Sequence, residues 1–337
     1  MHNKYLKITG KIAIVAVLCF LLIDQGKLNF SLLIELFNDP LLLAKLALVI
    51  IFGSTITVTL RWFFLLRAVG ANYSFWALYR ILWISNFFTI FLPGLIAGDG
   101  VKVLYLLRNN PLKRRSPILS SMILDRFIGL FGIVIIAALA AFPALKSFPD
   151  SLVIRFFAYL AWGVLLAMII ALAWLVVPIR EEQDLIKHLL DLLPLKHLVN
   201  KVYKAFSAYR GHWGVFFWGI LLSCLCQLLQ ILIFYWLTVF TLQGSLDAAM
   251  LFFVLPFGEL VQVIPLTPSG IGVGHYSYDY FYAQVGLSQG ADVFNLYLVV
   301  RIGLGLLGGL PFLLHKKEMI QVMEEAEQVQ QAAPEEE

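Results

Sequence analysis

The chain has 337 residues, 61% of them hydrophobic and 14% charged, with a mean hydropathy of +0.85, which excludes a soluble globular enzyme as the default and points to a polytopic membrane protein. Its 25 Lys and Arg against 21 Asp and Glu leave a net charge of +4, too small for a nucleic-acid footprint, so no nucleic-acid partner is expected and the charges report orientation instead. Cys19, Cys224 and Cys226 lie in apolar runs without His at a zinc-like spacing, so neither a disulfide framework nor a metal site is supported and no cofactor is expected.

Lys4, Lys7 and Lys11 precede an apolar run that ends at Ile23. No small-x-small cleavage site follows at Asp24-Gln25-Gly26, so an uncleaved first span with a cytoplasmic N-terminus is expected rather than a signal peptide. A polar, amphipathic connection over Asp24–Pro40 leads to a second span, Leu41–Leu66, with Arg61 and Arg67 marking a cytoplasmic far end. Phe75–Pro93 is the next apolar run, and it passes into Phe91–Lys102, FLPGLIAGDGVK. Pro93, Gly94, Gly98 and Gly100 weaken a helix there, while Asp99 and Lys102 would each cost roughly 2.5–3.5 kcal/mol at the centre of a lipid-facing span. Irregular backbone at membrane depth is tolerated only against protein or a water-filled cavity, so this stretch is read as a broken segment lining a site. A second stretch of the same style is Leu266–Asp279, LTPSGIGVGHYSYD. Taken singly, either is equally compatible with an ordinary loop between helices.

Arg108, Lys113, Arg114 and Arg115 form the strongest positive cluster. If Phe75–Pro93 crossed the whole bilayer, that cluster would face outward, against the positive-inside bias. A re-entrant hairpin that enters from the cytoplasm, turns at Pro93–Gly100 and returns is the simpler solution. Ile118–Phe142 then crosses outward carrying Asp125 and Arg126, and Val153–Val177 crosses back after a short outer loop with Pro143 and Pro149. Within the polar connection 178–213, Leu195, Leu198, Val199, Val202, Phe206 and Tyr209 recur at helical spacing between Lys196, Lys201, Lys204 and Arg210. That pattern suits a helix on the cytoplasmic surface with its cations at anionic lipid headgroups, and a helix that binds a protein partner would look similar. Val215–Thr241 crosses outward, Ala248 to about Val285 forms a second hairpin that carries Glu259, and Asp292–Leu314 must end at His315-Lys316-Lys317 in the cytoplasm. The second hairpin therefore enters from outside. The acidic tail, 318–337, reads as solvated helix fraying to disorder.

The halves repeat. Pro93 and Arg126 are separated by 33 residues, as are Pro268 and Arg301, and a Gly-rich helix face follows each Arg. Each half reads as span, span, hairpin, Arg-bearing span, with the second inserted in the opposite sense. The expectation is a single all-α polytopic membrane domain over 1–337, an inverted-topology repeat of residues 8–142 and 153–315, with six full spans and two re-entrant helical hairpins, eight hydrophobic segments in all. Were both hairpins full crossings, eight spans would result and the inversion would be lost.

At these residues the sequence resembles the lysylphosphatidylglycerol synthase transmembrane-region family, a flippase-like domain. The first signature, approximately Pro-Gly-Gly-x-Gly-Gly-Asp followed by a basic residue and then a helix with Asp-Arg-x-x-Gly-Leu, looks here like PGLIAGDGVK and SSMILDRFIGL. The second, approximately Pro-Gly-Gly-x-Gly with a following Glu and a later Arg, looks like PSGIGVGH and VVRIGLG. Leu95 and Ala97 stand for glycines, Lys102 for an Arg, Ser269 for a Gly and His275 for the Glu. The last departure alters the charge of the second hairpin, which means a different lipid or a lost proton-coupling group. The resemblance implies movement of a lipid headgroup across a bilayer, expected to be a bacterial cytoplasmic membrane with both chain termini on the inner side.

A phospholipid, an aminoacyl-phospholipid or a polyprenyl-linked lipid is thus the expected substrate, contacted by Arg126, Arg301, Asp99, Lys102, Gly98, Gly100, Gly270, Gly272 and His275. Arg offers a phosphate a planar two-pronged fork, and a hairpin helix starting near Gly100 would add backbone N–H donors. Asp125, Glu259 and Asp279 are read as coupling or ion-pair groups, or as charges that simply pair inside the bundle. Two further readings differ in class: a membrane-embedded lipid-modifying transferase, disfavoured because no donor-binding domain, phosphate loop or nucleophile–base pair can be placed, and a non-catalytic accessory subunit of a separate lipid-modifying enzyme.

Overall fold

The computed structural model describes residues 29–91, 95–108, 116–176, 203, 207–244, 247–263 and 267–314. The expected first span, the basic loop at 109–115, most of the connection 178–213 and the acidic tail lie outside them. Every described element is helical: α1 (Phe30–Phe37), α2 (Pro40–Leu48), a π-helical turn (Val49–Ser54), α3 (Thr55–Ala68), α4 (Phe75–Phe91), α5 (Leu95–Arg108), α6 (Ser116–Ser147), α7 (Leu152–Val176), α8 (Trp213–Leu242), α9 (Ala248–Gln262), a 3-10 turn (Pro268–Gly270), α10 (Val273–Gln284), α11 (Gly290–Leu306) and α12 (Gly309–Leu314).

Length and hydropathy divide these helices into two groups. Pro40–Ala68, Pro117–Ser147, Leu152–Trp174, Trp213–Leu242 and Gly290–Leu314 are long and apolar enough to cross a membrane, and they coincide with five of the six expected spans. The helices α4, α5, α9 and α10 have 17, 14, 15 and 12 residues. At 1.5 Å per residue they reach about 18–26 Å, short of a hydrocarbon core of about 30 Å. Within each short pair the helices pack on each other, α4 on α5 and α9 on α10.

The packing exchanges the halves. α4 lies against α11 and α12, while α9 lies against α6, so the first helix of each hairpin rests on the Arg-bearing span of the other half. The pair α3 and α8 runs between them. The contact of α4 with α11 and α12 is close at two glycines, with Gly308 against the Trp83 carbonyl and Gly309 against the Phe87 ring. Small residues permit such approach where no hydrophobic force drives helices together.

The larger core joins α1, α2 and α6 through α11. At its centre the Tyr278 ring is stacked between Phe234, at 4.8 Å and 20°, and Phe294, at 5.0 Å and 16°. Each such pair adds about 0.5–1.5 kcal/mol beyond area burial, so the second hairpin is locked into this core. A smaller core packs the first hairpin against α3 and α6 through Trp62, Leu78, Ile81, Ile84, Leu106 and Ile118.

The span that ends in α3 is interrupted by the π-helical turn. Side chains also bond carbonyls of this turn: Thr55 Oγ1 donates at 2.7 Å to the Ile50 carbonyl, which takes the Thr55 N–H as well, and Tyr79 Oη donates to the Ile51 carbonyl at 3.1 Å.

Candidate functional site

The interior charges of the first half form two adjoining groups. Arg61 on α3 is 8% exposed, inside the bundle. Its Nε donates to Asp125 Oδ1 at 2.7 Å, Nη2 to Asp125 Oδ2 at 3.2 Å, and Nη1 to Ser223 Oγ on α8 at 2.8 Å. One guanidinium thereby ties together three spans. Asp125 is occupied by this pair, and Arg126, one residue on and therefore about 100° around the helix, projects elsewhere.

Arg126 reaches Asp99 on α5. Its Nε donates to Asp99 Oδ2 at 3.1 Å and its Nη2 donates to the same oxygen, while Lys102 Nζ donates to Asp99 Oδ1 at 2.9 Å. The Arg126 side chain is 55% exposed, whereas those of Asp99 and Lys102 are largely covered. Lys102 Nζ also stands 5.7 Å from the centre of the Trp62 ring, whose indole N–H donates to Ser121 Oγ at 3.3 Å. These charges, with Trp62, Leu82 and Met122, line a pocket between α3, α4, α5 and α6. As it stands it has room for about one water molecule, so anything as large as a headgroup requires the hairpin to move.

Gly98 and Gly100 differ. A Cβ at Gly98 would strike Thr89 Oγ1 and lie 2.9 Å from the Ser85 carbonyl oxygen, and Ser85 Oγ donates to the Gly98 carbonyl at 2.8 Å, so Gly98 fastens α5 to α4. A Cβ at Gly100 would meet nothing within 4 Å. The expected helix start near Gly100 is corrected: α5 begins at Leu95, so the Gly100 N–H is already inside the helix and is no free donor.

In the second hairpin the backbone is irregular where expected. Gly270 and Gly272 have φ of +76° and +83°, a region that favours glycine, and a Cβ at Gly270 would lie 2.5 Å from Gln262 Oε1. The Gly272 N–H donates to His275 Nδ1 at 3.2 Å. His275 Nε2 faces Asn295 Oδ1 at 3.5 Å, its ring meets the Phe294 ring edge-on, and it is 3% exposed. With Nδ1 accepting, the ring is a neutral cap on α10, and neither it nor Gly272 presents a group to a ligand in this conformation. Glu259 on α9 faces Gln227 of α8 and the charge of Arg301 on α11. The equivalent places of Arg126 and Arg301 in the two halves predict one phosphate-binding centre formed by both; Arg301 is exposed and lies outside the pocket of Arg126, so they do not share one here. Asp279 is half-buried on α10, near Asp292, whose carboxylate accepts the Asn29 N–H at 2.6 Å.

Sequence reading thus missed Arg61, Ser223 and Trp62. The available signal was position: Arg61 stands almost two turns inside an apolar run that continues as WFFLL to Arg67, too deep for an interfacial charge. Among the described residues no cluster of His, Cys, Asp and Glu is arranged to hold a metal ion. What the first pocket offers chemically is a guanidinium fork and an ammonium, both now engaged by one carboxylate.

Neither the curated proteins nor the solved structures contain a significant match to this chain. The family model described as lysylphosphatidylglycerol synthase TM region matches residues 8–302, a stretch that includes both short helix pairs, Arg126 and Arg301. The chain is an integral membrane protein and belongs to that lipid-related family.

Proposed function

We propose that this protein moves the charged headgroup of a membrane lipid across the bilayer while the lipid chains stay in the hydrocarbon. The observation that carries the reading is the Asp99–Lys102–Arg126 cluster, which lines a pocket beside the Arg61–Asp125 pair in a mostly apolar bundle. Charges at such depth are costly and mark substrate or ion pathways. Short paired helices support re-entrant hairpins, and the exchange of packing partners between halves supports an inverted repeat of the kind that places a substrate site at the repeat interface. In this reading Arg126 binds the phosphate once the first hairpin moves to open the pocket, and Arg301, placed alike in the second half, binds it when the opposite side is open.

Purified protein in liposomes tests the proposal. Transfer of an unmodified headgroup analogue between leaflets is expected, strongly reduced by Arg126→Lys and Arg301→Lys, which keep the charge and lose the planar fork. Appearance of a new lipid product would favour a transferase, and neither transfer nor product would favour an accessory subunit of a separate lipid-modifying enzyme. Transport unaffected by both Lys variants would overturn the role given to the arginines.

A further inference from the structure

Resting on that reading, we propose that the first pocket selects a headgroup with one net negative charge, and that Asp99 is the internal counter-ion which the headgroup phosphate displaces from Arg126. Both oxygens of Asp99 are committed, one to Lys102 and one to Arg126. Asp99 gives one oxygen to Arg126 and the other to Lys102, and the two free oxygens of a phosphodiester could divide between the same two cations, so Asp99 stands where a phosphate would bind. The neighbouring charges do not change the balance, because Arg61 and Asp125 neutralise each other.

Lys102 and Arg126 against Asp99 leave one net positive charge at the pocket. A monoanionic phosphodiester brings that to neutrality, which a low-dielectric bundle favours, whereas a zwitterionic headgroup leaves it charged and a dianion overshoots. Displacement also has a mechanical result. Asp99 lies on the first hairpin and Arg126 on α6, so exchanging carboxylate for phosphate releases the hairpin from α6 and enlarges a pocket too small for a headgroup. The hairpin remains intact because Ser85 and Gly98 hold α4 to α5.

The test is lipid binding to the full-length protein in detergent, read by native mass spectrometry with phosphatidylglycerol, phosphatidylethanolamine and phosphatidic acid. Wild type is expected to prefer phosphatidylglycerol over phosphatidylethanolamine by about tenfold, the scale of one partly screened charge. Lys102→Gln, which leaves the pocket neutral, should abolish that preference. Asp99→Asn, which leaves two positive charges, should shift preference toward phosphatidic acid. Shifts in the same direction for both variants, or unchanged ratios in folded protein, overturn the inference while leaving the transport reading intact. A folded wild type that binds none of the lipids overturns both. Glycerophosphoglycerol, the chain-free monoanionic diester, should bind at least about a hundredfold more weakly than phosphatidylglycerol, since it lacks buried chains; equal binding would make the ligand a soluble phosphate compound and overturn the lipid assignment.

Discussion

Breaking the Arg61–Asp125 pair from one side should be among the most damaging single changes in the described part of the protein. Arg61 is 8% exposed and spends three donors on two partners, and its guanidinium lies flat on Gly129, where a Cβ would stand 3.3 Å from both terminal nitrogens. Arg61→Met leaves the Asp125 carboxylate uncompensated, and Asp125→Leu leaves the guanidinium so; each should cost about 3–5 kcal/mol. The joint replacement Arg61→Met with Asp125→Leu removes both charges and should lie within about 1 kcal/mol of wild type, or above it. Ser223→Ala removes one hydrogen bond to a charged group and should cost about 1.5–3 kcal/mol. Unfolding of the purified protein in mixed micelles measures all four. Single changes that cost under about 1 kcal/mol, or a double change equal to the sum of the singles, would refute the idea of a buried, mutually dependent pair.

Three further outcomes are expected. Gly98→Ala should destabilise the first hairpin by about 1–3 kcal/mol because the new Cβ meets Thr89 and the Ser85 carbonyl, whereas Gly100→Ala, which meets nothing, should be neutral or stabilising by about 0.5–1 kcal/mol; the same unfolding assay checks both, and equal effects would argue against the fastening role of Gly98. His275→Asn, whose Oδ1 takes the place of Nδ1, should keep the cap on α10, while His275→Phe should lose about 1 kcal/mol and raise hydrogen exchange at Gly272, an effect absent if His275 is not the acceptor. Cysteines introduced at Asn110 and Lys316, both outside the described residues, should be shielded from an impermeant thiol reagent added outside, while one at Ser147 reacts; labelling at Asn110 from outside would end the re-entrant and inverted-repeat readings together.

The spans were legible because length and hydropathy are local properties. Five apolar runs became the five helices long enough to cross, and four interrupted runs became the four short ones. The irregular backbone at Gly270 and Gly272 was legible for the same reason, since glycine between turn residues states its conformation locally. Partner choice was not legible. Arg61 finds Asp125 64 residues away and Ser223 162 residues away, and nothing in the apolar pattern around Arg61 says which way it points. His275 shows the opposite failure. Its place in a glycine-rich stretch suggested a ligand-facing charge, but a ring nitrogen within reach of a backbone N–H three residues earlier satisfied that donor first.

The π-helical turn at Val49–Ser54 acts as a dial for the span it interrupts. One additional residue in a turn rotates everything beyond it by about 100° relative to an uninterrupted α-helix. Arg61 and Trp62, which face Asp125 and the pocket, lie beyond that turn, whereas Leu42 and Leu46, which pack in the larger core, lie before it. Deleting a single residue from Ile50–Phe52 would let the helix run straight, keep every apolar side chain in the membrane, and swing Arg61 about 100° off its carboxylate. Hydropathy would scarcely register such a deletion, yet it would separate the two halves of the only ion pair that joins α3 to α6 among the described residues.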